Sequence, residues 1–308
     1  MIMPASVTHY LFAERVLNKL KQTGAAVTDR DAALIGAQGP DVFFFHRVMP
    51  WQPGVSYARE GNRMHHISPA RLFELFRQVL NAESRERGRM QSYIEGFFCH
   101  YALDRTAHPY VFWFQEELAA QRPRYGRAGH TYHFHIESAL DTLMLRRDTG
   151  RRVEDYPLQT ILPRDDGSLY LTIGRLFVPV FLQLWGLSAP AERLALAPGD
   201  MRRVLFFLTD RSAVKQTLLR PLEWVSGQGH FATSLFRPLD VSDWDYANEE
   251  KKEWKNPFDL SYTSRESFYD LYDLAADEAV DMILAFRQAI PRGQSMLCLL
   301  YTSDAADE

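Results

Sequence analysis

Apolar positions along this chain recur mostly at three- and four-residue spacing, which predicts helices and few strands. Leu11, Phe12, Val16, Leu17 and Leu20 mark one face of a helix starting at Thr8, and Gly24 stops it. Residues 28–37 predict a second helix, opened by Thr28 and ended before Gly39-Pro40. Segment 46–63 carries Pro50, Pro53, Gly54 and Gly61 and predicts a loop. Ser68-Pro69 starts a further helix whose buried stripe is Leu72, Leu75, Phe76 and Leu80. A long helix is expected over 86–107, a basic loop over 123–129, a helix over 130–147 and irregular chain over 150–168. Helical stretches follow near 171–186, 198–209, 211–223 and 264–290. The 226–262 region, rich in Gly, Trp, Asp and Asn, predicts a long ordered loop or short helices. No internal repeat and no linker divides the pattern, so the expected fold is one all-α, multi-helix domain over residues 1–293. Residues 294–308 follow a natural helix end at Pro291-Arg292-Gly293 and read as a non-native or disordered tail.

Composition narrows the function classes. With 308 residues, 46% of them hydrophobic, the chain can bury a large core. Its 35 basic and 39 acidic residues leave a net charge of −4, so there is no global basic field of the kind a nucleic-acid partner selects. No run of about 18 apolar residues occurs, so no membrane span is expected. The start, MIMPASVTHYLF, lacks the basic-then-apolar pattern of a secretory signal. Two cysteines, Cys99 and Cys298, cannot build a disulfide framework, and a reduced, cytoplasmic setting is expected. Aromatics at 13% fit a thick core or, in part, the wall of a pocket.

Candidate chemistry sits in two segments. In GFFCHYALDRTAHPY, residues 96–110, His100, Asp104 and His108 are four apart. On a helix these fall on one face, drifting by about 40° per step. In GHTYHFHIESALD, residues 129–141, His133 and Glu137 are again four apart. Imidazole and carboxylate are good zinc ligands, and helices fix their geometry. One such pair is usually surface decoration or a cap; two pairs plus His108 point to a metal cluster. His100 also lies among Phe97, Phe98 and Leu103, where a polar ring needs a partner. Upstream, His9, Asp41 and the His65-His66 pair are further candidates.

These residues and their order resemble the zinc-dependent phospholipase C family, whose all-α fold is shared in outline with zinc-dependent single-strand nucleases. The matching segments are THYLFAE (8–14), GAQGPD (36–41), MHHISP (64–69), CHYALDRTAHPY (99–110) and HFHIE (133–137). The resemblance implies two to three Zn2+ ions. One would be held by Asp41, His65, His100 and Asp104, a second by His108, His133 and Glu137, and a third by His9, a bridging Asp104 and the N-terminal amine. It also implies Asp41 as a candidate general base. Three features depart from the pattern. Secreted members expose an N-terminal tryptophan by cleaving a leader; here removal of Met3 would expose the Pro4 amine instead. Asp104 and His108 are closer than in the secreted enzymes. His65 and His66 compete for one role, with spacing to Pro69 favouring His65, and His130 and His135 flank His133 as decoys.

The implied activity is metal-dependent phosphodiester hydrolysis, of a phospholipid or related phosphodiester, through a zinc-activated water. The alternative is a non-catalytic, metal-stabilised protein that binds a phosphorylated lipid or nucleotide. His46-Arg47 and Arg105 are possible phosphate contacts, and Phe43, Phe44, Phe45, Trp51 and Tyr101 possible walls of an entrance.

Overall fold

The computed structural model describes residues 5–49, 51–121, 129–226 and 231–292. The tail 294–308, the basic loop, Pro4 and Cys298 lie outside these residues. The fold is all-α. In chain order the helices are α1 Ser6–Gln22, α2 Arg30–Gly36, α3 Ala58–Met64, α4 Pro69–Ala82, α5 Arg87–Gln121, α6 Gly129–Thr149, α7 Leu169–Trp185, α8 Ala191–Leu194, α9 Leu196–Leu208, α10 Val214–Ser226, α11 Phe231–Ser234 and α12 Phe268–Arg292. A 3-10 turn spans Gly39–Phe43, and two short strands, β1 Trp254–Lys255 and β2 Thr263–Ser264, pair antiparallel.

The chain forms two compact units from interleaved segments. One comprises Ala13–Tyr101, Leu162–Arg203 and Ala276–Glu308. Its core is aromatic: Phe73 stacks on Phe98 at 3.7 Å, and Phe43 meets Phe177 edge-on at 4.9 Å. Small residues let its backbones approach closely. A Cβ at Gly96 of α5 would fall 1.9 Å from the Ala33 carbonyl oxygen of α2, and one at Gly36 would fall 2.0 Å from that of Tyr93. Only glycine at both positions permits this crossing. The other unit comprises Met1–Phe12, Ala102–Ile161 and Val204–Ala275. Helix α6 runs through its middle: of residues 131–145 only His135 and Leu143 are less than buried. There Tyr110 donates to the Tyr246 carbonyl at 2.9 Å, and its ring packs edge-on against buried Trp254.

The elements differ from the sequence expectation at three places. Asp29, not Thr28, caps α2, accepting from the Ala32 amide at 3.0 Å. The expected loop 46–63 ends in a helix, α3, because Gly61 serves close packing rather than a turn: a Cβ there would meet Phe43 Cβ at 2.8 Å. Helix α5 does not stop near 107 but continues through Pro109. An interior proline costs about 3 kcal/mol. Burial of Tyr110, Val111, Phe114 and Leu118 beyond it outweighs that, at about 1.5–3 kcal/mol for a fully buried apolar side chain.

His46 is structural rather than a phosphate contact. Its Nδ1 accepts from the Tyr57 amide at 3.0 Å and its Nε2 donates to the Arg193 carbonyl at 3.0 Å, so the ring is held neutral. Burial pushes its pKa below the usual 6.5, against the opposing pull of the Arg193 carbonyl and the Asp200 carboxylate. The unfolded chain therefore binds the extra proton first as pH falls. This histidine's contribution to stability is full above the ordinary value of 6.5 and is lost as pH drops from there through the depressed folded value. Urea midpoints measured across that range are expected to fall less steeply for His46→Gln than for the natural chain; identical slopes would contradict this. The second buried group of note, Cys99, has its thiol pKa pushed up by burial and is unreactive at neutral pH.

Candidate metal centre

Asp41 stands in the 3-10 turn that Gly39-Pro40 opens, with proline in its first turn. Gly39 has φ +54, and a Cβ there would lie 2.2 Å from Cδ2 of His100, so the turn rides directly on that imidazole. Helix α3 ends at Met64 and delivers His65, whose Nε2 lies 2.9 Å from Asp41 Oδ1. The His65 and His100 rings are 5.8 Å apart, and Asp41, His65 and His100 each offer a donor atom within 4.8 Å of the others. Asp41 and His100 are buried and His65 is half-buried, while His66 is exposed. Phe44 stacks on His65 at 5.4 Å, whereas Phe43 is plain core and Trp51 is exposed.

In the other unit, His108, His133 and Glu137 form a second group, also within 4.8 Å. His133 Nε2 and His108 Nε2 lie 3.2 and 3.6 Å from Glu137 Oε1. Asp104 Oδ1 lies 3.2 Å from His9 Nε2 and 3.6 Å from His108 Nε2, which brings His9 and Asp104 to the edge of this group. Helix α5 thus carries His100, Asp104 and His108 at successive turns, the first belonging to one unit and the other two to the other.

The donor set fits a metal ion, and the hydrogen bonding around His133 is the sharpest test. Its Nδ1 donates to Gln115 Oε1 at 3.2 Å, which in the neutral ring leaves the lone pair on Nε2. That lone pair faces a carboxylate oxygen at 3.2 Å, and Nε2 and Glu137 Oε2 are buried without a hydrogen-bond partner among the described residues. Two acceptors held this close repel unless a proton or a metal ion lies between them. A ligating histidine whose other nitrogen bonds an amide or carboxylate is the usual arrangement at zinc.

The sequence reading missed two supports of this group. Gln115 is one. Asp141, a further turn along α6 from Glu137, is the other. Asp141 is buried and accepts from the Val7 amide at 3.2 Å and from the Thr8 amide and hydroxyl at 2.7 Å each. It thereby caps α1 and sets the position of His9. Arg237, also buried, donates to Asp141 through Nε at 2.9 Å and Nη2 at 2.8 Å, and Nη2 reaches Ser6 Oγ at 2.6 Å. Asp141 closes the quoted segment 129–141 at the same four-residue step, which was the available signal; nothing near Arg237 flagged it. His135, the expected decoy, bonds the Tyr246 hydroxyl at 2.9 Å, and the side chain of His130 lies outside the description.

The family model described as zinc dependent phospholipase C matches residues 8–172, a span that holds every candidate ligand. The chain belongs to the zinc-dependent phospholipase C family. No curated protein and no solved structure matches it. As a zinc-dependent phospholipase C family member, it carries His, Asp and Glu groups suited to the ion in the family's name. No described helix is long and apolar enough to cross a membrane.

Proposed function

We propose that this chain is a metal-dependent hydrolase of phosphodiesters, acting on a phospholipid or a related phosphodiester. The observation that supports this most is the His133–Glu137 arrangement, with a lone pair and a carboxylate facing each other in a buried site. In this reading Asp41, His65 and His100 hold one ion, and His108, His133 and Glu137 a second. His9 and Asp104 supply part of a third. Zinc held there would supply a water of lowered pKa and positive charge beside phosphoryl oxygens. Asp41 acts as proton acceptor, steadied by His65 on one of its oxygens. Phe44 against His65 and Phe112 against His133 give each group an apolar wall.

Hydrolysis of bis(p-nitrophenyl) phosphate by the metal-loaded chain tests the reading. Turnover that chelator abolishes and zinc, manganese or iron restores is the expected result. No turnover with any of these, on protein of verified fold and metal content, would overturn it.

A further inference from the structure

The chain between β1 and β2 closes a small hairpin in which Trp254 pairs with Ser264 and Lys255 with Thr263. Its base is anchored by buried Trp254, whose Nε1 donates to the Glu266 carbonyl at 3.0 Å. The arms stay joined above the strands, with the Asn256 amide donating to the Tyr262 carbonyl at 3.0 Å. The tip is bonded within itself. The Phe258 amide donates to Asn256 Oδ1 at 2.8 Å, and Asp259 accepts from the Ser261 amide at 3.0 Å and hydroxyl at 2.6 Å. A turn this fully bonded has a defined outward face. On it stand Phe258, 69% exposed, and Leu260, 79% exposed, the two most exposed large apolar side chains among the described residues. Tyr262 beside them is also exposed.

The tip also has a defined neighbour. The Phe258 ring meets Phe112 edge-on at 5.3 Å, and the Phe112 ring lies 4.8 Å from that of His133. The apolar projection therefore adjoins the His108, His133 and Glu137 group. Lys255, on the strand leading to the tip, is exposed and forms no ion pair among the described residues.

We propose that this hairpin tip is a lipid-surface anchor, which seats Phe258 and Leu260 among headgroups and brings those headgroups beside the second metal group. The inference rests on the phosphodiesterase reading for its purpose. Three features favour a lipid surface as the occupant. Two large apolar side chains held in water gain by entering an interface. Lys255, exposed on the strand that leads to them, supplies a cation for headgroup phosphates. Asp259 between them stays charged and stops insertion at the interface, short of the hydrocarbon core. Continuity through Phe112 to His133 then accounts for the tip's location.

Flotation of the zinc-loaded full chain with phosphatidylcholine vesicles, with and without phosphatidylserine, tests this. The natural chain is expected to float with the vesicles. The Phe258→Ser/Leu260→Ser variant is expected to partition roughly tenfold or more weakly at unchanged circular dichroism. Leu260→Ser alone, at the most exposed position, gives a partial loss and keeps the test open should the double variant misfold. Lys255→Glu is expected to weaken binding chiefly to the phosphatidylserine vesicles. Equal flotation of the natural chain and the variants would overturn the proposal, as would a natural chain that floats with neither vesicle. A double variant that converts a dimer to a monomer without changing flotation would assign the tip to a second copy of the chain and overturn it too. Hydrolysis of the water-soluble diester is read on the same preparations. An inactive chain that still floats through its tip retires only the hydrolase reading; an active chain indifferent to its tip retires only the anchor.

Discussion

Replacing Glu137 with glutamine is expected to empty the second metal group and to lower phosphodiester hydrolysis by on the order of a thousandfold. The substitution keeps shape and volume but removes the carboxylate that both His108 and His133 face, at 3.6 and 3.2 Å. Without that charge, two imidazoles alone hold zinc weakly. Zinc content by elemental analysis should fall together with the rate, and the fold should persist. His135→Gln is the matched control. It stands two residues from His133 on the same helix, but its Nε2 bonds the Tyr246 hydroxyl, so zinc and activity should both remain. Retention of full zinc and full rate by Glu137→Gln would contradict the assignment.

Asp141→Asn is expected to cost about 3–5 kcal/mol of folding stability, read as a lowered urea midpoint at unchanged slope. Asp141 and Arg237 are both buried and pair directly, Arg237 Nη2 lying 2.8 Å from Asp141 Oδ2. Breaking a buried pair by neutralising one partner is the costly step. Arg237→Leu should cost a similar amount. The Asp141→Asn/Arg237→Leu double variant should cost less than the two single losses added together, because it removes both members of the pair. A strictly additive cycle would show that the two residues act separately. Because Asp141 accepts from the Val7 and Thr8 amides, the single variant should also loosen α1 at His9. Hydrogen exchange at the first turn of α1 reads this directly.

The helices were legible where one face alone is buried. Helix α4 is the clear case: Leu72, Leu75, Phe76 and Leu80 are all buried, and Ser68-Pro69 marks its start. Periodicity says less about the middle stretches of α5 and α6, residues 90–100 and 131–145, because they are buried nearly all round. There the four-residue spacing of His100, Asp104, His108, His133 and Glu137 carried the reading instead. Pro109 misled, because a local breaker was weighed without the burial beyond it. Gly61 misled for the converse reason: it reads as a turn residue, yet it is needed where α3 lies against the turn holding Asp41.

The supports of the metal groups were not legible, and for a physical reason. Arg237 lies 96 positions from Asp141, and Gln115 lies 18 from His133. No short pattern links such partners, and each residue type is ordinary at a surface. Their meaning comes only from burial, which the tertiary structure creates. The Phe258–Leu260 tip is similar: the 226–262 region was expected to be ordered, but nothing in its composition says which apolar side chains face outward.

Where metal binds decides whether these two groups are metal sites. Diffraction at the zinc absorption edge, from crystals of the zinc-loaded chain, tests this most directly. The predicted result is anomalous density about 2.0–2.2 Å from donor atoms of His108, His133 and Glu137, and likewise from those of Asp41, His65 and His100. A chain that retains no zinc, or zinc bound only at other residues, would contradict it.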